Sequence, residues 1–263
     1  MFAFPYHGGS MLQFLKKFFG APQGSLACFG RTDTGLVRKN NEDNFAILVE
    51  RNLFVVADGM GGHQAGEIAS RVATEYLINY FSIEKIREIQ GNPAAIQHGL
   101  IASFYKTNDK VMGLAAENAE LRGMGCTLVA CLIDNGVAYL CHVGDVRAYL
   151  DDGYMLKQLT TDHSLVADQT LGLQDGGRGA GRNIITRGIG FAFAEDPEFH
   201  RVPLSAGNKM LLCSDGLWGM VSDEEMHQTL ELASSPEEAC DNLVRQANVA
   251  GGKDNITAVV VFC

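Results

Sequence analysis

The sequence is short of positive charge. Against 31 Asp and Glu it sets 21 Lys and Arg, a formal net charge of −10 over 263 residues. No basic patch interrupts this balance, which excludes a nucleic-acid groove or an anionic membrane surface as the partner, because a polyanion would be repelled on approach. A chain of this sign that handles phosphate needs cations from elsewhere, and bound metal ions are the nearest source. The seven cysteines include no Cys-x-x-Cys pair, which removes the usual zinc-binding pattern, and their odd number does not suit a disulfide framework. Cys126, Cys131, Cys141 and Cys213 lie inside apolar, strand-like runs and read as reduced core thiols of a cytoplasmic protein. A membrane-spanning run is missing as well. The stretch MLQFLKKFFG at 11–20 is too short to cross a bilayer, and no small-residue cleavage pattern follows it. Residues 1–25 therefore read as a leader, either disordered or a weak amphipathic helix through Leu12, Leu15, Phe18 and Phe19 with Lys16 and Lys17.

Nucleotide fingerprints are absent too. In GMGGHQAG, Gln64 stands where the dinucleotide pattern G-x-G-x-x-G needs its third Gly, and no Gly-Lys-Ser/Thr follows for a nucleotide phosphate.

What is present is an alternation of short strands and amphipathic helices from Leu26 onward, with no long linker, which predicts one sizeable domain at 26–263. FAILV, LFVVA, TLVACLI, VAYLCHV, RAYL, KMLLC and ITAVVVF are rich in β-branched and aromatic residues. Asp134-Asn135-Gly136 between two of them marks a tight hairpin, since Asn-Gly tolerates the positive φ of a type I′ turn, and Asp152-Gly153 after RAYL repeats the signal. The sheets are thus expected to be mostly antiparallel. Ile68, Val72, Tyr76 and Tyr80 form one helical stripe, and Ile96, Leu100, Phe104 and Val111 form another. Ser222-x-x-Glu225 and Ser235-Pro236-x-Glu238 read as capping boxes that start two further helices. Hairpin strands with helix pairs set apart from them predict an α+β fold, a layered sandwich rather than a wound parallel sheet. Residues 168–182, DQTLGLQDGGRGAGR, are Gly-rich and lack periodicity, so they read as a flap within about 164–185.

The acidic residues fall at the ends of the apolar strands. Asp58 follows LFVVA, Asp145 follows VAYLCHVG, Asp215 follows KMLLCS, and Asp254 comes just before ITAVVVF. One acid at a strand end is an ordinary turn former. Four, on strands that should be neighbours, would converge, and clustered carboxylates repel unless hard divalent ions such as Mg²⁺ or Mn²⁺ join them. Gly59, lacking a Cβ, would let its carbonyl approach such an ion closely.

CHVGDVR at 141–147 has the spacing of the phosphate loop of cysteine-dependent phosphatases. That loop must offer backbone N–H groups to a dianion and open a helix whose N-terminus lowers the thiol pKa. Here Asp145 sits among those donors, and Ala148-Tyr149-Leu150 continues as a strand. Cys141 is therefore read as an inert core thiol, which leaves a cysteine mechanism as the weaker alternative and assigns the chemistry of the stretch to Asp145.

Eight motifs occur in a fixed order: RKNNEDN (38–44), VADGMGGHQAGEIAS (56–70), MGCTLVA (124–130), HVGDVRAYL (142–150), LTTDHSLV (159–166), IITRGIG (184–190), CSDGLWG (213–219) and GGKDNITAVVV (251–261). In this set the chain, from about Ala27 to Phe262, resembles the metal-dependent type 2C protein serine/threonine phosphatases (PPM), most closely their compact bacterial members. The resemblance implies a four-layer α-β-β-α sandwich of two mostly antiparallel sheets flanked by helix pairs. It implies hydrolysis of phosphoserine and phosphothreonine in proteins by a hydroxide bridging two Mn²⁺ or Mg²⁺ ions. By the same resemblance Asp58 bridges both ions, Gly59 gives its carbonyl to one, Asp215 and Asp254 ligate the other, and Glu42 and Asp43 hold metal-bound waters. Bacterial members often hold a third ion, and Asp145 with Asp215 occupy the matching positions. Arg38 matches the arginine that grips phosphate, and His63 the histidine that protonates the leaving oxygen. Asn255 stands behind the ligands and would orient Asp254. Asp162 and His163 are expected to anchor the flap rather than to act as a dyad, and Trp218 to belong to the core. The implied partners are phosphorylated proteins and a cognate Ser/Thr kinase, with the enzyme a cytoplasmic monomer in signal transduction. A non-catalytic phospho-sensor of the same fold is the competing reading, and a phosphatase of small metabolites or of an anti-sigma-type regulator would share the site. Three departures from the family pattern bear on substrate contacts: Gly179-Ala180-Gly181 where a His-Pro is common, Cys126 where Thr is usual, and Gly188 where Ala is common.

Overall fold

The computed structural model of the chain describes residues 26–61, 64–166 and 183–263. The leader at 1–25, the segment 167–182 that makes up most of the expected flap, and His63 lie outside the described residues.

Two five-stranded sheets form, antiparallel at every pairing. One runs β10 (Glu198–Pro203), β5 (Val137–Val143), β4 (Gly125–Asp134), β3 (Leu53–Met60) and β2 (Asp43–Leu48). The other runs β1 (Ala27–Asp33), β12 (Ile256–Phe262), β11 (Lys209–Cys213), β6 (Arg147–Asp151) and β7 (Leu156–Gln158). β8 (Ser164–Val166) and β9 (Asn183–Ile185) pair with each other on either side of the segment that is not described.

The strand sequences read as near-continuous apolar runs because both faces of each sheet are covered. With a side-chain period of two, Leu53, Val55 and Ala57 of β3 enter the helix-side core while Phe54 and Val56 face the opposite sheet. In the second sheet Leu211 and Cys213 go to the helix side, whereas Met210, Leu212, Val259 and Val261 meet Phe54, Val129 and Leu140 between the sheets. On the first sheet lie α1 (Ala65–Tyr80), α2 (Ile83–Ile89) and α3 (Pro93–Glu117); on the second lie the short α4 (Asp215–Trp218), α5 (Asp223–Leu232) and α6 (Pro236–Val249). This is the expected α-β-β-α sandwich.

Local expectations hold with instructive exceptions. Asn135 and Gly136 take φ of 48° and 71°, as a type I′ turn requires. The Asp152-Gly153 signal instead belongs to a four-residue loop closing Asp151 onto Leu156, in which Asp152 Oδ1 accepts from the N–H groups of Tyr154 and Met155. In α3 the expected stripe Ile96, Leu100, Phe104 and Val111 is fully buried. In α1 the buried face is offset by one residue: Ala65, Ala69, Ala73 and Leu77 are inside and Ile68 and Val72 flank them. Small residues let that helix approach the sheet closely, so alanine outcompetes the bulkier stripe for the innermost positions.

Both C-terminal helices are capped by serine. Ser222 and Glu225 form a reciprocal box, but Glu238 departs from the expected pattern and accepts from the N–H and hydroxyl of Ser234 rather than from Ser235, whose hydroxyl still caps Glu238 N–H. Replacement Ser222→Ala leaves the Glu225 amide without its cap and should lower unfolding stability by about 1 kcal/mol, read as a shift in urea midpoint at unchanged slope. Among the described residues no helix is long and apolar enough to cross a membrane.

Candidate functional site

Strand register brings the acids together. β2 and β3 pair so that Asp43 lies directly opposite Asp58. On the facing sheet, β11 leads into α4, which starts at Asp215, and its neighbour β12 begins just after Asp254 and Asn255. Asp43 joins the two sheets: its Oδ2 accepts from Ser214 Oγ and Thr257 Oγ1, each at 2.6 Å. Thr257 is backed by Thr32 Oγ1 at 2.8 Å, and Ser214 Oγ in turn accepts from Thr257 N–H at 3.0 Å.

The resulting field is strongly negative. Burial, above all, raises the Asp58 carboxyl well above its ordinary value, and Asp43, Asp215, Asp145 and Asp254 each add repulsion. Asp43 is pushed up to about 7 by burial, with Ser214 and Thr257 pulling back and Asp215 and Asp254 adding to the rise. Asp145 also rises to about 7 through burial and the nearby Asp215 and Asp162. For Asp215 burial and Asp254 raise the value to about 6 against the pull of Arg38. Among the described residues no hydrogen-bond donor reaches the buried Asp43 Oδ1 and Asp215 Oδ1. Unpartnered buried carboxylate oxygens are expensive. All-oxygen donors crowded in this way suit hard divalent cations, whose charge removes the repulsion that the fold alone leaves unanswered.

Two glycines make the convergence sterically feasible. A Cβ at Gly59 would overlap the backbone carbonyls of Gly66 and Glu42, and one at Gly216 would overlap that of Asn255. Gly59 N–H donates to Glu42 O at 3.0 Å, and a Cβ at Gly66 would strike the Glu42 carboxylate, which places Glu42 beside the start of α1. Asn255 is a staple between chain segments: its amide donates to Thr34 O and Asn40 O, its Oδ1 accepts from Glu42 N–H, and its own N–H reaches Asp254 Oδ1. Arg38 stands exposed at the mouth and donates to Asp254 Oδ2 at 2.6 Å. Burial disfavours its charge, but Asp254, Glu42 and Asp58 outweigh that and raise its pKa.

Behind Asp145, contacts form that residue spacing did not suggest. Trp218 Nε1 donates to the Asp145 carbonyl at 3.0 Å, and the Arg147 guanidinium lies 3.6 Å over the Trp218 ring while gripping Asp162 with two bonds of 2.9 and 2.7 Å. Trp218 packs at the edge of the helix-side core as expected, and also touches the acidic loop. His163 Nδ1 accepts from Gly144 N–H, and its backbone carbonyl accepts from Thr186 beyond β9, so this residue ties the end of β9 to the Asp145 loop, while Asp162 is held by Arg147. His142, His163 and Glu198 bring ligand atoms within 4.8 Å of one another. The two rings are stacked, with centroids 4.7 Å apart and planes at 26°, and their nitrogens are already engaged: His142 with Glu198 and the Gly144 carbonyl, His163 with Gly144 N–H and Arg187.

Cys141 is 0% exposed in the middle of β5, and burial pushes its thiol well up. Arg147 of the same stretch is occupied by Asp162 and Trp218. The cysteine mechanism has no geometric basis. Sequence spacing missed Ser214, Thr257 and Arg147; hydroxyls adjoining acids at the ends of paired strands were the one available signal.

Known proteins share this arrangement of sequence and fold. The profile of the protein phosphatase 2C family matches residues 37–249. The chain is 34% identical over 238 residues to the serine/threonine phosphatase stp of Listeria monocytogenes, covering 88% of this chain and 93% of that protein. To the protein phosphatase PhpP of Streptococcus pneumoniae it is 36% identical over 244 residues, covering 88% and 94%. Its fold matches the catalytic domain of the serine threonine protein phosphatase PstP in complex with two manganese ions at a TM-score of 0.73 and 31% identity, covering 90% of this chain and 97% of that one. With the sandwich, the motif order and more than two thirds of the length in common, this chain belongs to the protein phosphatase 2C family.

Proposed function

We propose that the protein is a metal-dependent phosphatase of phosphoserine and phosphothreonine in proteins, using Mn²⁺ or Mg²⁺. One observation carries the reading: buried and half-buried carboxyls converge at one end of the sandwich, two of their oxygens without a donor among the described residues, next to an exposed arginine. Asp58, Asp215 and Asp254 with the Gly59 carbonyl are the proposed holders of two ions, Glu42 and Asp43 support them through water, and Asp145 with Asp215 would hold a third. Divalent ions in such a site supply Lewis acidity and lower the pKa of water toward neutrality.

The protein's own groups do the rest. Arg38, planar and permanently charged, is placed to take two phosphate oxygens in its fork and to fix the phosphorus for in-line attack. Asp43, held between Ser214 and Thr257, keeps the two sheets in register beneath the reacting centre. Asn255 fixes the Arg38-bearing loop through the carbonyls of Thr34 and Asn40. His63 is proposed to protonate the departing Ser or Thr oxygen. The protein is proposed to act as a cytoplasmic monomer opposing a Ser/Thr kinase.

Purified protein should hydrolyse p-nitrophenyl phosphate with Mn²⁺, lose that activity in chelator, and keep it after iodoacetamide or Cys141→Ser. Loss on alkylation with indifference to chelator would overturn the reading, and tight binding of phosphopeptide without turnover would favour a sensor.

A further inference from the structure

Exposed cations stand next to Arg38, next to Asp254 and on α6. Lys39, Lys253 and Arg245 are exposed, and among the described residues none is ion-paired with a carboxylate. Beside them the surface is apolar. Leu36 is 70% and Val249 84% exposed, and both line a groove of about 630 Å³ between β1 and α6. Within it Arg31 pairs with Asp241, and Asp33 Oδ1 is held by Gly35 N–H and the Asn248 amide. Among the described residues Arg245 is bonded by Asn242 Oδ1 alone, at 2.7 Å.

The groove and the proposed phosphate site share one rigid loop. The N–H groups of Leu36 and Val37 both donate to Gly252 O, at 2.8 and 3.2 Å, and Gly35 lies against the Asp254 carbonyl so closely that a Cβ would overlap it. Leu36 is two residues from Arg38, at most about 7 Å along the chain. Val249 and Arg245 are one helical turn apart on α6, about 6 Å. A chain whose phosphate meets Arg38 therefore has its neighbouring residues within reach of Leu36 and Val249, and those beyond within reach of Arg245. Exposed apolar side chains adjoining a catalytic mouth mark recognition; with Arg31 paired to Asp241 and Asp33 held by Gly35 N–H and the Asn248 amide, Arg245 is the cation of the lining left without a carboxylate among the described residues, and an acidic side chain of the partner would complement it.

Resting on the phosphatase reading, we infer that this groove docks the phosphoprotein substrate: an apolar side chain two or three residues from the phosphorylated one seats on Leu36 and Val249, and an acidic residue about two positions further pairs with Arg245. Val249→Asp and Arg245→Glu lie on the exposed face of α6, outside the proposed catalytic groups, and test it. Phosphothreonine peptides carrying Leu and Glu at those spacings, on either side of the phosphothreonine, are compared with p-nitrophenyl phosphate, which has no flanking chain. Each variant should lower kcat/KM on the matching peptide about tenfold and leave p-nitrophenyl phosphate within about twofold. A Glu-to-Lys change in the peptide should restore turnover by Arg245→Glu. Equal losses on both substrates, no loss on any peptide, or a wild-type dimer that Val249→Asp dissociates would each overturn the docking role. Failure of the wild type on every substrate would instead overturn the phosphatase reading beneath it.

Discussion

Asp58→Asn should reduce Mn²⁺-dependent hydrolysis by at least about 10³-fold in kcat and, in chelator, raise the melting temperature. The two effects have one cause. Asp58 lies half-buried opposite Asp43 with three more acids around it, an arrangement that is useful only when cations are present. An amide of the same shape keeps the packing and removes the charge, so the metal-free fold gains what the catalyst loses. The sign of the pH dependence follows. Asp43, Asp145 and Asp215 have folded values of about 7, 7 and 6, above the ordinary 3.8. A raised carboxyl contributes stability that is full below the unfolded value and lost as pH rises through the folded one. The metal-free protein should therefore lose at least about 5 °C of melting temperature between pH 5 and 8. Saturating Mn²⁺ should flatten that slope, because ions take the place of the protons, and Asp58→Asn should flatten part of it without metal. Glu198 does not enter this window: burial opposes its charge, yet hydrogen bonds from His142 and Thr161 hold it at about 2, so its contribution is lost only as pH falls below about 4.5 toward that value. A slope that manganese leaves unchanged would count against these acids as the metal site.

What the sequence made legible was whatever depends on neighbours along the chain. Asn135-Gly136 needs positive φ wherever it sits, and the apolar strand runs needed cover on both faces in any fold. The convergence of Asp58, Asp215 and Asp254 could be argued from strand ends alone, since central strands of a sandwich finish side by side. Contacts made by sheet-on-sheet packing were not legible. Asp43 finds Ser214 and Thr257 across the gap between the sheets, more than 170 residues away in sequence, and no local pattern encodes that meeting. The offset stripe of α1 was hidden because alanine is counted as weakly apolar, although at a close helix-to-sheet contact small size decides which face goes in. The resemblance to type 2C phosphatases supplied roles for Arg38 and His63 that geometry alone would have left as an exposed cation and an unassigned histidine.

Arg147→Ala should lower stability by about 3 kcal/mol and the melting temperature by about 6–12 °C. The guanidinium grips Asp162 with two bonds, donates to the buried Tyr149 hydroxyl at 2.9 Å and covers the Trp218 ring. Truncation leaves the Asp162 carboxylate with Gln158 Nε2, at 3.2 Å, in place of its counter-charge beside Asp145, whose own charge is already disfavoured, and frees the indole that holds the Asp145 carbonyl. Lysine cannot restore this, because a point charge neither forks onto a carboxylate nor stacks flat on an aromatic ring. Arg147→Lys should therefore recover less than about half of the loss. If the stranded charge is the larger part of the cost, Arg147→Ala combined with Asp162→Asn should be more stable than Arg147→Ala alone. Additive losses in that double-mutant cycle would instead assign the cost to the stacking on Trp218 and the lost bond to Tyr149.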